Sequence, residues 1–277
     1  MIPHSGIILL DVGGTFIKCS DGRQVPVNSA GSREEIASSL REAVGDAGRV
    51  GVAIPGPFDY EKGIFLMKHK FAAVYGEHFA DLVSLPCHSF LPCHSERSEG
   101  TSYRFIHDVN AALLGECPTG NTALITIGTG LGFSYTKNGV VQKAASGSPA
   151  FSIYNLPWGS GILEDYVSKR GILRTYNELN GGTDDCGSVL DLSLKARAGD
   201  ALAKQAFSSV AGTLTRATAP VVKELGISEI IMSGQISKSF DLMEEALKQG
   251  FGDGVIVRPS SDISGAVFKG IAKLFDN

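Results

Sequence analysis

The apolar positions near the N-terminus fall into short unbroken runs separated by glycine-rich turns. Gly6 to Val12 reads as a buried strand that ends in Asp11-Val12-Gly13-Gly14-Thr15. A second strand is expected around Phe16 to Ser20, since Asp21-Gly22 is a strong turn signal. Ser32 to Val44 predicts a helix, with Ser32 as N-cap, Glu35 completing a capping box, and Ile36, Leu40 and Val44 at helical spacing. Arg49 to Ile54 predicts another buried strand, stopped by Pro55-Gly56-Pro57. Tyr103 to Ile106 continues as strand, followed by His107-Asp108-Val109-Asn110 and a helical Ala111 to Glu116.

Thr122 to Ile127 starts a second such series and runs into Gly128-Thr129-Gly130-Leu131-Gly132, with a returning strand at Phe133 to Tyr135. Ile162 to Arg170 predicts a helix. Ser188 to Leu225 reads as largely helical, with Leu190, Leu194, Leu202 and Phe207 as expected core contacts. Glu229 to Met232 is an expected strand ending in Ser233-Gly234-Gln235, and Ile263 to Phe275 an amphipathic helix. Strands alternating with helices imply an α/β chain of two halves, each opening near a glycine turn.

One stretch breaks the pattern. Leu-Pro-Cys-His-Ser occurs at 85–89 and again at 91–95, without apolar periodicity, which is the mark of a surface insertion. Thiolate and imidazole are zinc ligands, but adjacent Cys-His pairs are not finger spacing, so the insertion reading is preferred.

Composition narrows the function classes. Lys+Arg 25 against Asp+Glu 29 gives a net charge of −4, against a nucleic-acid or membrane-surface role, which needs a basic excess. At 43% hydrophobic residues the chain has enough apolar surface for a core, and no apolar run reaches the roughly 18 residues of a membrane span. The N-terminus has no charged n-region of a signal peptide, and five cysteines in no disulfide framework fit a reducing cytoplasm. A cytoplasmic protein is therefore expected.

The candidate chemistry sits in the turns. Gly13 and Gly14 make a tight hairpin whose N–H groups can face an anion. Thr15 adds a hydroxyl, Lys18 a cation, and Asp11 a carboxylate able to hold Mg²⁺ directly or through water. A plain type I′ hairpin is the competing reading. Gly128–Gly132 is not a dinucleotide fingerprint, because the third glycine comes too early and a strand follows; no Walker A pattern occurs. Asp108, between a strand and a helix, is the best-placed acceptor for the proton of a hydroxyl in phosphoryl transfer, unless it serves only as an N-cap. Asn110 could orient the substrate or close the helix start.

Taken together, Asp11-x-Gly13-Gly14-Thr15-x-x-Lys18, Gly51-Val-Ala-Ile-Pro55-Gly56-Pro57, Asp108-Val-Asn110-Ala-Ala, Gly128-Thr129-Gly130-Leu-Gly132 and Ser233-Gly234-Gln235 resemble, in order, the motifs of the ROK family of sugar kinases and regulators. The resemblance implies two actin-like (ribonuclease H-like) ATPase domains with a cleft between them. It places one domain at 1–115, with the helix at about 263–277 packing back on it, and the other at 116–262. It implies ATP and Mg²⁺, with Asp108 as base. Asp11, Gly13, Gly14, Thr15, Lys18, Gly128, Thr129, Gly130, Gly132, Gly234 and Gln235 would lie about the nucleotide, and Pro55, Gly56, Asn110 and Asp108 about the sugar. Relatives are often dimers, so a homodimer stays open.

The departures lie on the sugar side. Where the family carries an Asn-Leu pair this chain reads Met67-Lys68-His69-Lys70-Phe71. Gly147-Ser148-Pro149-Ala150-Phe151 stands for a motif that carries a Glu and a His, and Trp158 to Glu164 replaces the cysteine-rich zinc segment, so no zinc is expected. His107 replaces a common Asn. The expectation is an ATP-dependent kinase with an altered sugar site. The alternative is a catalytically weak nucleotide- or sugar-binding sensor. A DNA-binding regulator would need a helix-turn-helix before Gly6, and five residues do not supply one.

Overall fold

A computed structural model describes residues 6–84, 101–182 and 186–276; the repeat at 85–95 lies outside the described residues. The chain forms two compact units. The first comprises Met1–Gly115, Lys143–Ser148 and Ser264–Asn277, and the second Glu116–Gln142 and Pro149–Ile263.

In the first unit the apolar runs become β1 (Ile7–Val12), β4 (Arg49–Ile54) and β7 (Ser102–His107) of one sheet. The hairpin strands β2 (Phe16–Cys19) and β3 (Gln24–Pro26) extend it, giving the order β3-β2-β1-β4-β7. The sheet is mixed: β1, β4 and β7 run parallel, whereas β1, β2 and β3 pair antiparallel. The helix α1 (Arg33–Val44) starts at Ser32, whose hydroxyl accepts the Glu35 N–H while the Glu35 carboxylate accepts the Ser32 N–H, the expected capping box. It buries Ile36, Ala37, Leu40, Ala43 and Val44. The short strands β5 (Phe58–Asp59) and β6 (Ile64–Phe65) and the helix α2 (Phe79–Val83) add Phe58, Phe65 and Phe79 to that core. The helix α3 (Asp108–Gly115) follows β7 without a break. The C-terminal helix Ile263–Ala272 packs on α3 so closely that a Cβ at Gly115 would stand 1.7 Å from the Ala266 carbonyl oxygen.

The second unit repeats the sheet order. Its strands β8 (Thr122–Ile127), β9 (Leu131–Lys137), β10 (Val140–Val141), β13 (Glu229–Ser233) and β14 (Ile256–Pro259) lie in the order β10-β9-β8-β13-β14. Here β8, β13 and β14 are the parallel strands. A small hairpin of β11 (Pro157–Trp158) and β12 (Gly161–Ile162) leads into α4 (Leu163–Val167) and α5 (Lys169–Leu179). The helices α6 (Val189–Arg197), α7 (Ala201–Glu224) and α8 (Glu244–Phe251) complete the unit. Its core gathers Ile125, Leu163, Leu192, Phe207, Leu214 and Leu247, among others.

The expected core of the helical stretch needs correction. Phe207 is fully buried, but Leu190, Leu194 and Leu202 are 67%, 57% and 38% exposed. Along α6 the buried positions are Val189, Leu192, Ser193 and Ala196, and along α7 they begin Ala203, Ala206, Phe207 and Val210. Small alanines let the helices approach, and the leucines at 190 and 194 fall on the opposite face. No helix among the described residues is long and apolar enough to cross a membrane.

Candidate active site

In the first unit, register decides which residues meet. Asp11 lies opposite Ala53, and Ala53 opposite Ile106, across parallel β1, β4 and β7. The carboxyl ends of three strands therefore open on one edge, the usual ligand-binding edge of such sheets. Asp11, the Pro55-Gly56 turn and His107-Asp108 all emerge there.

Asp11 pairs with Lys18 across the β1–β2 hairpin, 3.5 Å from carboxylate to ammonium, and Lys18 also reaches the Ser264 hydroxyl at 3.4 Å. Burial pushes the Asp11 carboxyl above its ordinary value, Lys18 draws it back, and the negative charge of Asp108 raises it again. The two carboxylates thus act on each other. The turn itself closes with Gly13 N–H donating to the Phe16 carbonyl at 3.0 Å. Neither Gly13 nor Gly14 has a positive φ, so the turn is not type I′. The Gly14 and Thr15 carbonyls accept from Ser29 and Val27, which fixes the turn from behind, and Thr15 is exposed at its tip.

Asp108 opens α3. Its Oδ1 lies 2.7 Å from His107 Nδ1 and accepts the Val109 N–H at 2.7 Å. Burial pushes the carboxyl up. The His107 hydrogen bond and charge, the Val109 N–H and the charge of Lys70 outweigh it and hold the group below the usual range. The side chain still keeps 35% of its surface open. His107 packs against Tyr60, ring centres 5.8 Å apart, and the Tyr60 hydroxyl donates to the Ile54 carbonyl at 3.0 Å. Burial and the Asp108 charge push the Tyr60 hydroxyl upward, so it stays protonated. Gly56 approaches the Tyr60 hydroxyl and the His107 ring, and the fully buried Asn110 donates its amide to the Gly147 carbonyl at 3.1 Å.

The second unit holds the remaining candidates. Gly128 N–H donates to the Gly130 carbonyl at 2.9 Å, leaving Thr129 at the apex between β8 and β9, and Gly132 pairs opposite Thr126. The Leu131 N–H is held by the Glu164 carboxylate at 2.9 Å, and Lys169 N–H donates to the Gly128 carbonyl at 2.8 Å. Gly234 has φ +82°, and a Cβ there would stand 2.4 Å from the Ile127 carbonyl oxygen, so only glycine fits. This contact brings the Gly128 and Gly234 turns together. Gln235 is exposed at the start of the next helical turn, near a concavity of about 360 Å³ lined by Ser237, Lys238, Phe240, Asp241 and Ser260.

No protein-family model matches the chain. A glucokinase from Halalkalibacterium halodurans is 26% identical over 293 aligned positions, covering 87% of this chain and 84% of the relative. The crystal structure of a ROK family glucokinase from Streptomyces griseus, in complex with glucose and AMPPNP, superposes with a TM-score of 0.74 at 21% identity, over 97% of this chain and 98% of that one. The chain has the ROK sugar-kinase fold. The crystal structure of a glucokinase from Parabacteroides distasonis superposes with a TM-score of 0.78 at 16% identity over 99% of both chains.

Within this ROK fold the donor set suits magnesium. Asp11 offers a hard oxygen in the field of a second carboxylate, and magnesium takes one or two protein carboxylates with the rest of its shell from water and phosphate. No cluster of three His, Cys, Asp or Glu side chains suited to a metal occurs among the described residues. Sequence reasoning missed Tyr60 and the turn-holding role of Glu164, and met Lys70 and Gly147 only inside departures from the family pattern. His107 was noticed only as a departure, although its adjacency to Asp108 was the available signal.

Proposed function

We propose that the protein transfers the terminal phosphoryl group of ATP to a hydroxyl of a sugar or sugar derivative. The observation that carries this reading is the state of Asp108: an ionised carboxylate with an open edge, set on the strand-end edge that carries Asp11 and the first glycine turn. A carboxyl group must be ionised to take a proton, and its position must admit the alcohol.

The geometry divides the two carboxylate oxygens. Oδ1 is occupied by His107 and the Val109 N–H, which leaves Oδ2 for the acceptor hydroxyl. Since a carboxylate only accepts, His107 donates from Nδ1 and fixes the plane of the group. The Gly13-Gly14-Thr15 turn and the Gly128–Gly132 turn, with Gly234 and Gln235, are assigned to the nucleotide. The Gly13 and Gly128 N–H groups are used within their own turns and the Leu131 N–H on Glu164, so the Gly14, Thr15, Thr129 and Gly130 N–H groups and the Thr15 hydroxyl are the donors suited to phosphate oxygens. Bound magnesium would supply neutralisation of phosphate charge, with Asp11 as its protein ligand, directly or through water. Lys18 balances Asp11 and holds it in place.

Pro55, Gly56 and Asn110 are assigned to the acceptor. The Asn110 amide already serves the Gly147 carbonyl, and Gly147–Phe151 offers neither Glu nor His. These features support an acceptor other than ordinary glucose. The shared fold and the glucokinase relative support the reaction class.

The test is an ADP-coupled screen with ATP and Mg²⁺ across monosaccharides, amino sugars and polyols. At least one acceptor should give turnover, and Asp108→Asn should cut kcat by about 10²–10⁴-fold with nucleotide affinity retained. Wild-type protein that binds ATP but phosphorylates nothing in the panel would refute the reading in favour of a sensor.

A further inference from the structure

The first unit contains a cation that the transfer scheme above leaves unused. Lys70 lies on a segment stitched to the first glycine turn by two backbone hydrogen bonds in series. Ser29 N–H donates to the Gly14 carbonyl at 3.2 Å, and Phe71 N–H donates to the Ser29 carbonyl at 2.6 Å. Phe71 itself sits at φ +52°, ψ 28°, a left-handed conformation unfavourable for a bulky side chain. Its ring holds it there: it is fully buried, 5.7 Å from Phe65. Strain of this kind persists where the surroundings over-determine it. Here it sets the course of the backbone next to Lys70.

The side chain of Lys70 runs past the turn. Its Cδ and Cε lie 3.9 Å from where a Cβ on Gly14 would stand. The residue is exposed and forms no ion pair among the described residues, while its charge reaches Asp108. Lys18, by contrast, is committed to Asp11 and Ser264. A phosphoryl group in transfer spreads negative charge over three oxygens and needs positive groups that are not already neutralised.

We propose that Lys70 is the catalytic cation of the transfer, its ammonium binding the phosphoryl oxygens as the group passes from nucleotide to acceptor. The assignment rests on the kinase reading above. In the step, the bond from the terminal phosphorus to its bridging oxygen breaks and ADP leaves with that electron pair. A bond forms from the acceptor oxygen to phosphorus, and the hydroxyl proton goes to Asp108. Lys70 keeps its proton throughout and contributes charge alone.

Lys70→Met and Lys70→Arg, at an exposed position, separate this from a packing role. Steady-state kinetics with the acceptor found in the screen should show kcat of Lys70→Met down by about 10²–10³-fold, with both KM values within about three-fold. Lys70→Arg should recover at least about ten-fold of that loss. Calorimetry with Mg²⁺–AMPPNP and Mg²⁺–ADP should show Lys70→Met losing the wild type's preference for the triphosphate. An unchanged kcat and an unchanged preference would overturn the proposal. So would a raised acceptor KM at constant kcat, which assigns Lys70 to an anionic group on the acceptor. A wild type that binds neither nucleotide overturns the kinase reading as well, which distinguishes the two failures.

Discussion

The contact between α3 and the C-terminal helix gives the sharpest stability prediction. A Cβ on Gly270 would lie 1.9 Å from the Ala111 carbonyl oxygen, and both atoms in that contact would belong to helix backbones or their first side-chain carbon. No flexible side chain can swing away, so the helices must part by more than an ångström. Overpacking of this kind costs about 1–3 kcal/mol, and a rigid backbone neighbour puts it near the upper end. Alanine would return about 1 kcal/mol through helix propensity. Gly270→Ala should therefore destabilise the first unit by about 1–2 kcal/mol net. Gly212 is the control: it lies within α7, and its Cβ would meet only the free end of Arg216 at 3.2 Å. Gly212→Ala should stabilise by about 0.5–1 kcal/mol. Urea unfolding followed by circular dichroism, with m unchanged, reads both. Gly270→Ala at or above wild-type stability, or Gly212→Ala as the more harmful change, would refute the steric reasoning.

The remaining predictions concern charge, capping and metal. Because the folded Asp108 carboxyl titrates below its unfolded value of about 3.9, its contribution to stability is present above that value and is lost as pH falls through the folded one. The acid limb of kcat should accordingly lie below the ordinary carboxylate range, and His107→Asn, which removes the largest lowering influence, should move it to higher pH. Asp11 has the opposite sign, its folded pKa being raised, so its ionisation should appear at higher pH in the KM for Mg²⁺–ATP. Asp200 accepts the Leu202 and Ala203 N–H groups at 2.9 Å each and caps α7; Asp200→Ala should cost about 0.5–2 kcal/mol in the same urea assay. Elemental analysis of purified protein should find zinc well below one per chain, and a stoichiometric signal would turn attention to the Cys-His repeat.

The pattern of apolar runs predicts β4 and β8 with their observed bounds, and Ser32 with Glu35 announces α1 because capping is a local interaction. The same logic misled in α6: side-chain size points to Leu190 and Leu194 for the core, whereas the buried face runs through Val189, Leu192, Ser193 and Ala196. Asp11, Gly13 and Asp108 were legible because each stands where a strand ends. The place of Lys70 beside the first glycine turn was not, since it depends on hydrogen bonds from Ser29 and Phe71 between segments far apart in sequence. Nor was the membership of Lys143–Ser148 in the first unit, which no periodicity marks although Gly147 there holds Asn110.

Synthesis order follows from how the first unit is assembled from separated stretches. Its sheet and the helix bearing Asp108 leave the ribosome early, but the helix that seals α3 at Gly115 is made only after everything from Glu116 to Ile263. Until then the close-packing surface of Ala111 and Gly115 stays bare, so this unit waits on residues translated after an entire intervening unit to finish its packing. A frameshift anywhere between Glu116 and Ile263 would accordingly leave the sheet of the first unit made but its packing surface unsealed.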